Sequence, residues 1–276
     1  MKRTRLCLLD GGTLALEGYK LFWGRGTPEL IRFACYSVLI DHKDGLFLFD
    51  SCYDGEFMDK WTQQDNPVHT PEQTMPAQFA KLGIGLSEVS RIFNSHLHID
   101  HVGGHKYFPD ATITVHEKEY KAAKDPMPFE YQSYSDLCFD PELHRLNFEG
   151  ARDILHRAGT DETKPASPRS PKYDLIRKDS QVADGIWLYE TPGHSAGHMS
   201  LVVEGLDRPP MMFPADACHL PRHLQEMIVP GFHVDPVAAY RSIERVKAIA
   251  AKHGAEIFFG HPPGDSLCYR KAPEWY

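Results

Sequence analysis

Between Asn94 and His105 the chain reads NSHLHIDHVGGH, which places four histidines and an aspartate within twelve residues. Imidazole and carboxylate without thiolate favour zinc, iron, manganese or cobalt over a structural cysteine site. His96 and His98 stand two apart, so extended backbone turns them to one side. Asp100 can open a helix, and His101 then turns to another side. The stretch thus offers two pairs of ligands aimed at adjacent points. A catalytic tetrahedral site leaves one position for water. Two pairs therefore imply two metals, each completed from elsewhere in the chain.

The completing residues can be sought at strand ends. GIWLYETPGH (185–194) ends in His194, MMFPAD (211–216) in Asp216, and AEIFFGH (255–261) in His261. Strands lying side by side would bring all four ends to one edge of a sheet, where open sheets bind ligands. The other histidines, including His105, His198, His223 and His253, are read as core, turn or surface residues. A metal-activated water makes a serine nucleophile unnecessary.

The elements that must hold these residues follow from periodicity and turn chemistry. Residues 32–50 read as two strands joined by a turn around Lys43, Asp44 and Gly45. Residues 70–84 suit a short helix after a Thr cap, ending near Gly83. Residues 89–93 and 112–116 are strand-like, and a helical turn or two follows the second. Strands are expected at 185–194, 199–205, 211–217 and 255–261. Asp235 and Pro236 mark a helix start; Val237, Tyr240, Ile243, Val246 and Ile249 recur at helical spacing, and Gly254 stops it. The proline-rich region 125–180 predicts an inserted lid and an exposed loop.

At 276 residues, with 42% apolar and 25% charged residues, the chain can bury a sizeable core, and one domain over 1–276 is expected. A net charge of −8 argues against nucleic acid as partner. No run approaches the ~18 apolar residues of a membrane span. The apolar run near the N-terminus is broken by Asp10 too early for a secretory signal. Six scattered cysteines without a CxxC pair fit reduced thiols and a cytoplasmic location. Oligomeric state is not readable.

The order HxHxDH, then His in TPGHSAGH, then Asp, then His resembles the ligand order of the metallo-β-lactamase superfamily. The stretches SHLHIDHVGGH, YETPGHSAGHMSL, PADA, VPGF, IAAKHG, IFFGH and PEWY are similar, more narrowly, to the quorum-quenching N-acyl-homoserine lactonases. The resemblance implies an α/β fold, an αβ/βα sandwich of two mixed sheets flanked by helices. It implies two divalent metal ions, zinc foremost, and a small-molecule acyl lactone substrate. One metal would take His96, His98 and His194, the other Asp100, His101 and His261, with Asp216 and a hydroxide bridging them. Asp100 would shuttle a proton to the leaving ring oxygen. Family lactonases often carry a tyrosine three residues after the bridging aspartate to polarise the substrate carbonyl; here that position is His219, which can also donate a hydrogen bond. Gly231 in VPGF matches a position where backbone approaches substrate. An apolar acyl groove could draw on Leu21, Phe22, Trp23, Met127, Phe129, Tyr131 and Tyr134. A β-lactamase would add a signal peptide, a glyoxalase-II-type thioesterase a helical domain, and a tRNA-processing phosphodiesterase a basic surface. A broader lactone, ester or thioester hydrolase, or a non-catalytic binder on the same scaffold, remains the alternative.

Overall fold

The structure, a computed structural model, describes residues 3–134, 171–263 and 269–276. Two mixed sheets face each other. The first holds β1 (Arg5–Glu17), β2 (Leu30–His42), β3 (Gly45–Phe49), β4 (Val89–Phe93), β5 (Thr112–His116) and β6 (Lys172–Ile176), side by side in that order. The second holds β7 (Ser180–Ala183), β8 (Ile186–Glu190), β9 (Met199–Val203), β10 (Met211–Phe213) and β11 (Glu256–Ile257), in the reverse spatial order. Helices α1 (Gly18–Leu21), α2 (Gly55–Trp61), α3 (Met75–Leu82), α4 (Ile99–Val102), α5 (Glu117–Lys124), α6 (Pro221–Glu226) and α7 (Pro236–His253) lie between or outside them.

Period-two alternation builds the layers. Leu6, Leu8, Val38, Ile40, Phe47 and Phe49 meet Ile186, Leu188, Leu201, Val203 and Phe213 in one core between the sheets. Their neighbours Cys7, Leu9, Leu39 and Leu48 face outward and pack with Met75 and Phe79 of α3. On the far side, Val202 and Met212 pack with Ile243, Val246 and Ile249 of α7. The result is the expected αβ/βα sandwich. Each fully buried Leu or Phe contributes roughly 1.5–3 kcal/mol of transfer free energy, so both sheets are held firmly behind the loops they carry.

Several expected elements shift. The β2–β3 hairpin pairs His42 with Gly45 across the expected turn. The helix expected from residue 70 begins only at Met75, because Thr70 caps a separate 3-10 turn and Thr74 caps α3. No strand is expected before residue 32, yet β1 is thirteen residues long. Its register slips between Asp10 and Thr13, where two glycines interrupt the apolar run that would have announced it. In α7, Val237 and Tyr240 are 61% and 42% exposed. Strict three-residue steps drift around a helix, and the buried face is instead Ala239, Ser242, Ile243, Val246, Ile249 and Ala250.

The expected 125–180 insertion is also trimmed. Lys172–Ile176 is a strand, paired parallel with β5 at the sheet edge, where its lysine and aspartate suit an edge position. Most of the expected lid, 135–170, lies outside the described residues. No helix among the described residues is long and apolar enough to cross a membrane.

Candidate metal centre

The ligand-bearing loops rise from both sheets, not from one edge as the strand-end reading expected. β4, which leads into His96, belongs to the six-stranded sheet, while β8, β10 and β11 belong to the other. The two meet here: the Met199 N–H at the start of β9 donates to the Ser95 carbonyl at 2.8 Å. The strands also stop several residues before the ligands. Pro192 and Pro214 follow β8 and β10 closely, and a proline supplies no N–H to continue a ladder. His194, Asp216 and His261 therefore stand on short loops, where they can converge.

Local sequence fixes each loop. His98 is the N-cap of α4, so Asp100 and His101 occupy its single turn and point away from His98, as expected. Gly193 holds φ at +126°, and a Cβ there would sit 2.1 Å from the Ala239 nitrogen. Only glycine lets the His194 loop press so closely on α7. Asp216 lies in a 3-10 turn, Ala215–Ala217. The His261 N–H donates to the His219 carbonyl at 2.9 Å, which ties the last two segments together.

All seven expected ligands converge. His194 Nε2 lies 3.1 Å from His96 Nε2 and 3.0 Å from His98 Nδ1. Asp216 turns one oxygen to each side: Oδ1 is 3.2 Å from His101 Nε2 and 3.3 Å from His261 Nε2, and Oδ2 is 3.4 Å from His194 Nε2. Asp100 Oδ2 sits 3.6 and 3.7 Å from His101 and His261. The donors form three overlapping groups that could each hold a metal ion, His96–His98–His194, Asp100–His101–Asp216–His261 and His194–Asp216–His219.

The hydrogen-bond partners decide what those nitrogens carry. His194 Nδ1 faces the Phe232 carbonyl at 2.9 Å, and His261 Nδ1 the Ala34 carbonyl at 3.1 Å. A carbonyl only accepts, so both Nδ1 atoms bear the hydrogen. His101 Nδ1 donates to Asp50 Oδ2 at 2.8 Å. The Ser95 hydroxyl donates to Asp50 and accepts from His96 Nδ1 at 2.9 Å. In the neutral form that a metal requires, these tautomers turn Nε2 of His96, His101, His194 and His261 inward as lone pairs. His101 Nε2 and Asp216 Oδ1 are buried without a hydrogen-bond partner. Lone pairs facing one another at about 3 Å repel unless a cation stands between them. Nδ1 donated outward and Nε2 aimed at a common point is how proteins orient metal-binding histidines.

Burial pushes His96 and His98 well below the ordinary imidazole range and His194 down to about 4. It acts on His101 in the same direction, but Asp100, Asp216 and Asp50 outweigh it and raise that group. Asp216 likewise raises His261. Burial would raise the Asp216 carboxyl, yet His261, His219, His101 and His194 together hold it far below the usual carboxylate range.

Supporting residues were largely missed by sequence reasoning. Asp50 adopts φ of +53° and accepts from the Ser95 N–H at 2.8 Å as well as from His101. Its place after the strand run FLF is the same strand-end signal that found the ligands. His198, given a bland role, is fully buried and accepts the Asp216 N–H at 3.1 Å. Residues 193–197 have the G-x-S-x-G spacing of a serine-hydrolase elbow. Ser195, however, is fully buried, and its hydroxyl donates to Glu119 at 2.6 Å, so it is not a nucleophile.

A cavity of about 160 Å³ opens over the centre, lined by His98, Asp100, His194, Asp216, His219 and His261 at its base. His219 Nε2 lies 2.9 Å from Asp216 Oδ2, and its Nδ1 is buried without a partner. The apolar wall is Leu14, Leu16, Leu21, Phe33 and Met58. Of the seven expected groove residues only Leu21 lines it. Phe22 is buried against His223, Trp23 rests on His233, and Met127 and Phe129 face solvent. Tyr131 stays outside the lining, and Tyr134 is buried with its hydroxyl on Glu119. The unrecognised β1 supplies the wall instead, with Leu14 paired across the ladder to Phe33. Gly231 is not in the lining either. A Cβ there would meet the Lys20 carbonyl at 2.1 Å, and its neighbour Phe232 both lines the cavity and accepts from His194.

Comparison with known proteins follows the same lines. A family model described as the metallo-beta-lactamase superfamily matches residues 30–261. The N-acyl homoserine lactonase AttM of Rhizobium radiobacter is 28% identical over the full length of both chains. The N-acyl homoserine lactonase AiiA of Bacillus thuringiensis subsp. kurstaki is 28% identical over 83% of this chain and 75% of its own. The crystal structure of a quorum-quenching N-acyl homoserine lactone lactonase superposes with a TM-score of 0.80 at 23% identity, covering 100% of this chain and 99% of the other. AidC, a dizinc quorum-quenching lactonase, superposes with a TM-score of 0.67 at 21% identity, covering 100% and 94%.

Proposed function

The chain belongs to the metallo-β-lactamase superfamily, and from that premise we propose that it hydrolyses the ring ester of N-acyl-homoserine lactones at a dinuclear divalent-metal centre, with zinc as the resident ion. The observation that carries this reading is the convergence of seven buried or half-buried His and Asp side chains, with imidazole nitrogens aimed inward, beside a cavity with an apolar wall. His96, His98 and His194 would hold one ion, Asp100, His101 and His261 the other, and Asp216 would serve both. The relatives named as acyl-homoserine lactonases support the substrate class. The four described cysteines that are free and buried, Cys7, Cys35, Cys52 and Cys218, fit a cytoplasmic enzyme.

Two such ions supply Lewis acidity for the lactone carbonyl and a nucleophile drawn from water near neutral pH. The residues of the chain do the rest. Asp100 keeps 19% of its side chain exposed to the cavity, so its carboxylate can pass a proton to the departing ring oxygen. His219 reaches the cavity from beside Asp216, and once Asp216 is given over to metal its Nε2–H would be released to donate toward the substrate carbonyl. Leu14, Leu16, Leu21, Phe33 and Met58 receive the acyl tail and exclude water. Gln64, Asp65 and Lys20 give the same cavity a polar flank.

Proton release from short- and long-chain acyl-homoserine lactones, with zinc-loaded and chelated protein, tests the reading. Ring opening that depends on metal is the expected result. A metal-loaded protein that opens no lactone would overturn it and redirect the search to thioesters and other esters.

A further inference from the structure

Glu119 is the third residue of α5, and no signal in the sequence marks it. Its side chain is fully buried, and four donors converge on its carboxylate. Oε1 accepts the Leu97 N–H at 3.0 Å and the Tyr134 hydroxyl at 2.9 Å. Oε2 accepts the Ser195 hydroxyl at 2.6 Å and the Gly197 N–H at 3.0 Å. Leu97 stands between His96 and His98, and Ser195 follows His194. One carboxylate therefore grips both loops that carry the three imidazoles. A Cβ at Gly197 would lie 2.3 Å from the Glu119 nitrogen, so the second loop is pressed directly onto α5. Tyr134 adds a third constraint, since its ring packs edge-on against His98 at 4.8 Å between centroids.

A buried carboxylate is costly, and an apolar residue would serve packing alone better. Four directed hydrogen bonds make sense where backbone must be held to a fraction of an ångström. His101 and His261 draw their outer partners from elsewhere, Asp50 and Ala34. We propose that Glu119 is the positioning residue of the imidazole pocket: through Leu97, Ser195 and Gly197 it sets the spacing of His96, His98 and His194. It thereby governs that pocket's affinity for a divalent ion without touching metal or substrate. The inference rests on the dinuclear reading above.

The test is a titration of metal-free wild-type and Glu119→Gln protein with cobalt(II), followed by calorimetry and visible absorption. The glutamine amide cannot accept from both donors now on Oε2. One of two binding steps is expected to weaken about 10–100-fold, the range for groups that orient metal ligands, with an altered cobalt spectrum for that step alone. The other step should keep its Kd and spectrum. Unchanged steps, or an equal weakening of both alongside a lower Tm of the metal-free protein, would reduce Glu119 to a brace of the fold. Ser195→Ala removes the shortest bond and leaves the carboxylate three donors. It should weaken the same step by a smaller factor, and an unaltered Kd there would overturn the proposal even if Glu119→Gln does not fold. Wild-type protein that binds no cobalt would instead sink the proposed function, and the control shows this before any variant is compared.

Discussion

The imidazole pocket of His96, His98 and His194 and the carboxylate-rich pocket of Asp100, His101 and His261 stand on opposite sides of Asp216, their histidines all buried but opposite in charge tendency. Burial favours neutral imidazole in both. In the first pocket nothing opposes it strongly enough, and its histidines are pushed down, His194 to about 4. In the second, Asp100, Asp216 and Asp50 surround His101, and Asp216 faces His261, so both are pushed up. The same residue type under the same desolvation ends in different states because the neighbouring charges differ. Without metal, burial favours neutral imidazole in the first pocket, while the carboxylates favour the protonated form in the second.

The largest test of this contrast removes the charge between the pockets. Asp216→Asn should cut metal content from two ions toward one and lower kcat/KM by about 10²–10³-fold or more, the scale of losing a group that stabilises developing charge. Elemental analysis beside steady-state kinetics measures both. Two retained ions with undiminished turnover would remove Asp216 from the centre.

Proton linkage should show a more moderate effect. A raised histidine carries a proton at pH 7 that a metal must displace, so filling the carboxylate-rich pocket should release about one to two protons and tighten as pH rises. A lowered histidine is already neutral, so the imidazole pocket should release almost none. Its affinity should stay flat as pH falls, weakening only as His194 titrates near 4. Calorimetry in two buffers of different ionisation enthalpy separates the steps. Equal proton release from both would erase the distinction.

The smallest effect belongs to His219, which joins His194 and Asp216 in a third group but is not among the seven proposed ligands. His219→Phe should leave metal content intact and lower kcat/KM about tenfold, the worth of one hydrogen bond to developing charge. Unchanged kcat/KM would return His219 to a packing role.

The converging histidines and aspartates were legible because metal chemistry restricts residue type and because short spacings translate directly into direction. HxHxDH announces itself in one line of sequence, and His194, Asp216 and His261 each follow an apolar run. Strands were legible from alternation such as Leu201, Val202 and Val203, which face opposite layers, whereas the sandwich was implied only by the family resemblance. The first strand was not, because Gly11 and Gly12 break its period. The substrate wall failed with it, since Leu14 and Leu16 sit on that strand. Met127, Phe129 and Tyr131 stand close together and Trp23 lies in an early loop, so all read as groove material; composition alone cannot tell a cavity wall from an outer surface.

What the sequence determined by itself is the set of chemical groups: seven candidate ligands, their order, and the family they imply. Tertiary structure decided everything that depends on approach between distant segments. It brought the end of β4 from one sheet against β9 of the other, turned each Asp216 oxygen to a different pocket, and set Glu119 and Asp50 behind the histidines. Residue identity is local, but lone-pair direction, desolvation and the charge felt by a buried imidazole are sums over neighbours that only the folded chain assembles.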